Sequence, residues 1–259
     1  MLDSNSGKGD MSYPTIRGRK PIGMMVAVQA EGNLVAGQLK AAAKRSTGPI
    51  EFRTGAINDT PVVYSMSGLG KTNAAHCATS LILNFAPSIV INFGIGGAYP
   101  ASGLMPGDVA VATKEVYADE GVLLEDGLHP LECIGVPLFK TARRKCYNEF
   151  PLDTRLGRKM LNVARSVGMK ASAGIFATVS ACSGTKQRAA ELSARFGAIC
   201  ENMEGAAVAH VCVLYGIPCI EIRGISNIVE ARDTSKWDIP LASENCQRAV
   251  IAFLNNIDL

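Results

Sequence analysis

Two glutamates, an arginine and an asparagine are the residues of this chain whose types and places suit chemistry. Glu204 lies in the run ENMEGAAVAHVCVLYGIPCIEIRGISN, residues 201 to 227. Its neighbours from Met203 to Val211 are mostly apolar, and a charge there is costly unless it is paired or used. Met203 and Glu204 open an expected small-residue helix. A short buried strand follows, and Arg223, Ser226 and Asn227 stand at its C-terminal end. A carboxylate at a helix start beside polar groups at a strand end describes a ligand pocket in an α/β fold. Glu31 stands just past another apolar strand. Its setting has a pocket-like composition; taken alone, Glu31 reads equally well as a solvated residue.

Two glycine-rich turns add to the set. Ser67-Gly68-Leu69-Gly70-Lys71 opens a helix, and Asn92 to Ala98 (NFGIGGA) follows a strand. Glycine lets backbone approach a ligand closely, and helix N-termini offer free N–H groups. Neither turn has the full dinucleotide pattern or the spacing of a nucleoside-triphosphate loop, and each also reads as a plain tight turn.

The elements that position these residues alternate. Strands are expected at Ile22–Val28, Val62–Ser67, Ser88–Phe93, Val109–Thr113, Ala173–Val179 and Pro218–Arg223. Helices are expected at Leu34–Lys44, Lys71–Phe85, Arg155–Gly168, Thr185–Phe196, Met203–Tyr215 and Leu241–Leu254. Such alternation predicts an α/β fold with a mostly parallel sheet and helices on both faces. Tyr117 to Asp153 has weaker periodicity and is expected to form an irregular excursion near the pocket. No linker or internal repeat divides the chain, so one domain is expected over 19–259. Residues 1–18 lack apolar periodicity and are expected to form a flexible tail without a signal-peptide core.

Composition bounds the function. The chain has 259 residues, is 47% hydrophobic and 19% charged, and so has material for a sizeable core. A net charge of +3 is too small to imply nucleic acid, and Arg143-Arg144-Lys145 reads as a solvated helix face. Eight scattered cysteines without a CxxC pair read as small hydrophobes in a reducing compartment. His210 and Cys212 point in different directions on their helix, so no metal site is expected. No stretch reaches the roughly 18 apolar residues of a membrane span, and a cytoplasmic location is the default.

In order along the chain, Glu31, Ser67–Lys71, Asn92–Gly97, Met203-Glu204 and Arg223–Asn227 resemble the motifs of the nucleoside phosphorylase and nucleosidase superfamily. Within it, the branch that hydrolyses methylthioadenosine and adenosylhomocysteine is similar. MEGAAVAH followed by EIRGISN, then RD and a downstream Trp, more narrowly resembles the futalosine hydrolases of menaquinone biosynthesis. The resemblance covers nearly everything after Lys20. It implies a single-domain three-layer α/β/α sandwich with a mixed, mostly parallel central sheet. It implies hydrolysis of a purine nucleoside without cofactor or metal, in a homodimer or larger homo-oligomer.

Carried over by position, Glu31 acts on the attacking water, which Ser67 and Arg223 help to hold. Glu204 binds the ribose hydroxyls, Met203 packs beside the sugar, and Asn227 faces the base, with Ser226 beside it. Gly96 belongs to the glycine stretch. The loop 178–184, with Ser180 and Cys182, lines the base; the family's stacking aromatic has no counterpart there. Arg232 and Trp237 are candidates for the carboxyphenyl tail of futalosine; surface pairing of Arg232 and packing of Trp237 on the last helix are equally open. Phosphorylases that resemble this chain place an arginine near the glycine loop, where Asn92 stands here, so hydrolysis is favoured over phosphorolysis. Asn227 in place of the adenine branch's aspartate points to a 6-oxopurine, since an amide can donate to O6 and accept from a protonated N7. A methylthioadenosine-type nucleosidase, a purine nucleoside phosphorylase, or a non-catalytic nucleoside-binding or storage protein are the alternatives.

Overall fold

In the computed structural model residues 18–142, 144–231 and 233–257 are described. The expected tail therefore lies, apart from Gly18, outside them, as do Arg143 and Arg232. Fourteen strands and six helices follow one another among the described residues. The first stretch holds β1 (Ile22–Val26), α1 (Asn33–Gln38), β2 (Lys40–Thr47), β3 (Ile50–Ile57), β4 (Thr60–Met66), α2 (Lys71–Phe85), β5 (Ile89–Ala98) and β6 (Val109–Tyr117). Two small antiparallel pairs come next, β7 (Val122–Leu124) with β8 (Gly127–His129) and β9 (Phe139–Lys140) with β10 (Lys145–Cys146). The last stretch holds β11 (Glu149–Pro151), α3 (Thr154–Ser166), β12 (Ala171–Thr178), α4 (Lys186–Phe196), β13 (Ala198–Asn202), α5 (Gly205–Tyr215), β14 (Cys219–Ile228) and α6 (Ile239–Asn255).

Ten strands make one mixed sheet in the order β11-β6-β12-β13-β5-β1-β4-β3-β2, with β14 paired to both β5 and β6. That double pairing closes β5, β13, β12, β6 and β14 into a ring. The parallel pairs β4–β1, β1–β5 and β5–β14 form the centre. Their C-terminal ends lie together, which is where an α/β sheet offers a crevice.

Side chains alternate across the sheet and feed two cores. Met25, Val63 and Val90 pack with α2 and α5 on one face. Met24, Val26, Val62, Ile91 and Phe93 pack with α3 and α6 on the other. Each fully buried aliphatic or aromatic side chain contributes about 1.5–3 kcal/mol. The expected three-layer α/β/α sandwich is what is found.

Three expectations are corrected. Leu34–Lys44 is not one helix: α1 ends at Gln38, and β2 begins at Lys40. Strand β2 pairs antiparallel with β3 from Thr47↔Ile50, through a Gly48-Pro49 turn with Gly48 at φ 58°. Glycine with positive φ at the first turn position suits a tight hairpin, and the ladder it nucleates outweighs the helix propensity of Leu, Ala and Lys. The excursion after Tyr117 contributes no lining residue to the candidate pocket; it borders a separate hollow with Glu132, Arg144 and Tyr147. Its basic segment is not helical: Lys145 belongs to the β9–β10 pair. No helix of the described residues is long and apolar enough to cross a membrane.

Candidate active site

The ends of β1, β4, β5 and β14 and the start of α5 surround a cavity of about 310 Å³. Its lining includes Glu31, Leu69, Gly96, Cys182, Glu201, Met203, Glu204, Ser226, Asn227 and Trp237.

Glu31 ends a 3-10 turn, Gln29–Glu31, that follows β1. Its side chain curls back: Oε2 accepts from the N–H groups of Ala27 and Val28, both at 3.1 Å. Oε1 accepts from the N–H of Ile95 at 2.9 Å. Burial pushes its pKa up from 4.5, against the pull of Arg223 and of these N–H groups. Glycine is required beside it, since a Cβ on Gly94 would stand 2.6 Å from Glu31 Oε1 and 3.0 Å from Arg223 Nη1.

Glu204 is the residue before α5, yet it does not cap its own helix. Asn202 does so: its Oδ1 accepts from the N–H groups of Glu204 at 3.0 Å and Gly205 at 2.7 Å. The Glu204 carboxylate is thereby left for other partners. Its Oε1 accepts from the N–H of Gly70, at the start of α2, at 2.9 Å. Its Oε2 is 3.5 Å from Arg223 Nη2. The SGLGK turn thus supplies a backbone donor to Glu204.

Arg223 is 1% exposed and lies beneath the lining. Its Nε donates to Glu221 Oε1 at 2.8 Å, and its Nη1 to the carbonyl of Ile95 at 3.2 Å. Burial works against its charge, but Glu221, Glu204 and Glu31 more than offset that and hold it protonated.

A register shift on β14 places Ser226 and Asn227 at the pocket. Ile225 pairs with Gly96 and Asn227 with Gly97, leaving Ser226 as the extra residue of a bulge. Asn227 Nδ2 donates to the carbonyl of Ile228 at 3.1 Å. A carbonyl only accepts, so this contact fixes which end of the amide is nitrogen. The Ser226 hydroxyl has two acceptors in reach, Asn227 Oδ1 at 2.8 Å and the Gly96 carbonyl at 3.2 Å. It can therefore release Oδ1 without losing a partner. Trp237 follows a 3-10 turn, Thr234–Lys236, and reaches the same cavity. Cys182 Sγ lies 3.3 Å from Met203 Sδ.

Not every candidate meets the cavity. Ser67 is half-buried, with its hydroxyl directed at the carbonyls of Gly68 and Val26, and it does not line the cavity. Ser180 is exposed outside the lining, its N–H given to Asp119. Arg232 is outside the described residues. Asn92 is buried within β5 and is not a lining residue, so its neutrality says nothing about phosphate. Arg53 pairs with Glu51 on its own strand, and Lys71 with Asp119 and Glu120. Sequence reasoning missed Glu201. That carboxylate accepts from Tyr99 Oη at 2.9 Å, Ser183 N–H at 2.8 Å and Ser183 Oγ at 2.6 Å, tying down the loop that carries Cys182. Its signal was available as a second acid two residues before Met203.

The model of the phosphorylase superfamily matches residues 21–255. A futalosine hydrolase of Thermus thermophilus is 36% identical over 194 residues, 75% of this chain and 81% of that protein. A 5'-methylthioadenosine/S-adenosylhomocysteine nucleosidase of Halalkalibacterium halodurans is 29% identical over 242 residues, 91% of this chain and 98% of the relative. Among solved structures, an S-adenosylhomocysteine nucleosidase of Streptococcus pyogenes in complex with 5-methylthiotubericidin superposes with a TM-score of 0.81 at 24% identity, covering 93% of this chain and 99% of that one.

Proposed function

The chain belongs to the phosphorylase superfamily, and on that premise we propose that it is a purine nucleosidase that hydrolyses futalosine to hypoxanthine and dehypoxanthine futalosine, in menaquinone biosynthesis. The observation that carries the proposal is the charge of the lining. Glu31, Glu201 and Glu204 border the cavity, and among the described residues no lysine or arginine does. A phosphate dianion would meet those carboxylates without a facing cation among the described residues. Water would not.

The reaction breaks the bond from C1′ to the base nitrogen. Positive charge develops on the ribose and negative charge on the purine. Glu204 accepts from the sugar hydroxyls, each such charge-assisted bond contributing about 1.5–3 kcal/mol, more as the sugar becomes cationic. Glu31 takes a proton from the water whose oxygen bonds to C1′, worth about 10²–10⁴-fold. Met203 packs beside the sugar. The departing base takes its proton from solvent, because an asparagine has none to give. Asn227 Nδ2 donates to O6, and Oδ1 accepts from the protonated N7 while the Ser226 hydroxyl turns to the Gly96 carbonyl. Arg223 keeps Glu204 and Glu31 in place. Trp237 and Leu69 border the apolar side of the cavity, which suits an aryl tail.

The identity to the Thermus thermophilus enzyme supports futalosine as the substrate. Adenine release from methylthioadenosine, at a rate matching hypoxanthine release from futalosine, would overturn the substrate and keep the reaction class. The test is a side-by-side assay of both nucleosides and inosine, in which futalosine alone is expected to turn over fast. Leu83 on α2 and Leu214 and Tyr215 on α5 are exposed apolar side chains that suit a homodimer. A monomer by light scattering at micromolar concentration would contradict that.

A further inference from the structure

Behind Arg223 lies a second pair of carboxylates. Glu115 on β6 and Glu221 on β14 are both fully buried. A Cβ on Gly205 would stand 2.1 Å from Glu115 Oε1 and 2.3 Å from Glu221 Oε2, so the two oxygens flank one point. Two adjacent buried carboxylates cannot both be ionised at modest cost. Glu221 Oε1 already accepts from Arg223 Nε at 2.8 Å, while Glu221 Oε2 has no fixed donor. Glu115 accepts on both oxygens, from Asn202 Nδ2 and from Thr178 Oγ1, each at 2.7 Å. The group able to satisfy Glu221 Oε2 from Glu115 is a carboxyl proton. Asn92, the register partner of Glu221 on β5, carries the other buried side-chain polar atom without a partner among the described residues, and it gives Glu221 Oε2 no hydrogen bond.

The two members of the pair reach Glu204 through separate partners. Glu221 is the tighter partner of Arg223, at 2.8 Å against 3.5 Å for Glu204. Glu115 holds Asn202, whose Oδ1 caps the N–H groups of Glu204 and Gly205. It also holds Thr178, whose Oγ1 accepts from the N–H of Ala206 at 2.8 Å.

We infer that Glu115 and Glu221 share one proton and act together as positioning residues: Glu221 draws the guanidinium of Arg223 off Glu204, and Glu115 fixes the first turn of α5, so that the Glu204 carboxylate stays open to the sugar hydroxyls. The inference rests on the nucleosidase proposal above. Loss of the shared proton leaves two repelling buried anions, disturbs both holds and lowers activity at high pH. Burial, and then Glu221, raise the Glu115 pKa well above 4.5. The other titratable groups around the pair include Tyr117 on β6, Cys200 and Glu201 on β13, Glu204 just before α5, Cys212 on α5, and Cys219 and Arg223 on β14. Burial, or for Cys219 a bond from Cys212 with burial, pushes the tyrosine and the thiols of Cys200 and Cys219 upward, and the surrounding carboxylates keep Arg223 charged.

The test compares E115Q, E115L and the unmodified protein. Glutamine keeps the shape and offers a permanent N–H to Glu221, but that nitrogen takes the place of Oε1, the acceptor of Asn202 Nδ2, and so weakens the hold on Asn202. E115Q is therefore expected to lose about 3–10-fold in kcat/KM at neutral pH, the size of one neutral hydrogen bond, and to lose the alkaline fall of the pH profile. E115L offers no donor and should lose about 10–100-fold, the size of a charge-assisted hydrogen bond. Infrared spectroscopy of the substrate-free protein should show a buried protonated carboxyl band that is absent from E115Q. An E115Q profile with the same alkaline fall as the unmodified protein would overturn the inference. So would the lack of a protonated carboxyl band in the unmodified protein. An unmodified protein that releases no base from any purine nucleoside defeats the nucleosidase proposal instead. The infrared comparison, which needs no substrate, then decides the pair alone.

Discussion

Replacing Glu204 with glutamine removes the charge that should steady the cationic sugar while keeping the side chain's shape. The structure sets the size of the effect. Glu204 Oε1 accepts from Gly70 N–H at 2.9 Å, a bond that a glutamine carbonyl keeps. Oε2, 3.5 Å from Arg223 Nη2, becomes an amide nitrogen facing a guanidinium, donor against donor. The variant thus loses charge assistance in the bonds to two sugar hydroxyls and gains a repulsive contact. At about 1.5–3 kcal/mol per bond the loss is about 3–6 kcal/mol, or about 10²–10⁴-fold in kcat/KM. The sugar bonds strengthen in the transition state, so most of the loss should fall on kcat. The assay is hypoxanthine release from futalosine, followed by the absorbance change. A thermal melt checks that E204Q is folded. A folded E204Q that retains more than about a tenth of the activity would refute the role of Glu204.

Glu31 must be ionised to take a proton, and burial raises its pKa above 4.5; the acid limb of kcat/KM should therefore rise with pH at values above that of a free glutamate, and E31Q should lose the limb with about 10²–10⁴-fold of rate. The same sign governs stability: Glu31 and Glu115 bind protons more tightly folded than unfolded, so their contribution is full below about 4.5 and is lost as pH rises through their raised values. Melting temperatures measured against pH should fall less steeply in E115Q. Asn227→Asp can protonate and donate to N7, so it should move the preference from futalosine toward methylthioadenosine by about 10-fold or more, read as the ratio of their kcat/KM values. Gly205→Ala places a methyl against both buried carboxylates and should destabilise by about 1–3 kcal/mol in a denaturant titration.

The residues that meet at the pocket were more legible in the sequence than the edges of the fold were. Lys71–Phe85 is a helix over its expected bounds, because a glycine turn opens it and Ala86 in the left-handed region ends it. The β2–β3 hairpin was hidden because Ala and Lys favour helices, and cross-strand pairing decided otherwise. Strand β13 is only five residues long, AICEN, too short to display a period. Glu204 and Arg223 stood out because buried charges must have partners. Glu115 and Glu221 did not, because the strands that bring them together are more than a hundred residues apart. Asn92 misled for a related reason: its position beside the glycines suggested a ligand contact, but strand alternation turns it into the core face that packs with α5.

The most direct test of the account follows both products of futalosine in phosphate-free water enriched in heavy oxygen. Hydrolysis by a water activated at Glu31 predicts hypoxanthine together with a sugar carrying the heavy oxygen at C1′. No turnover until phosphate is added, with a sugar 1-phosphate as product, would contradict it.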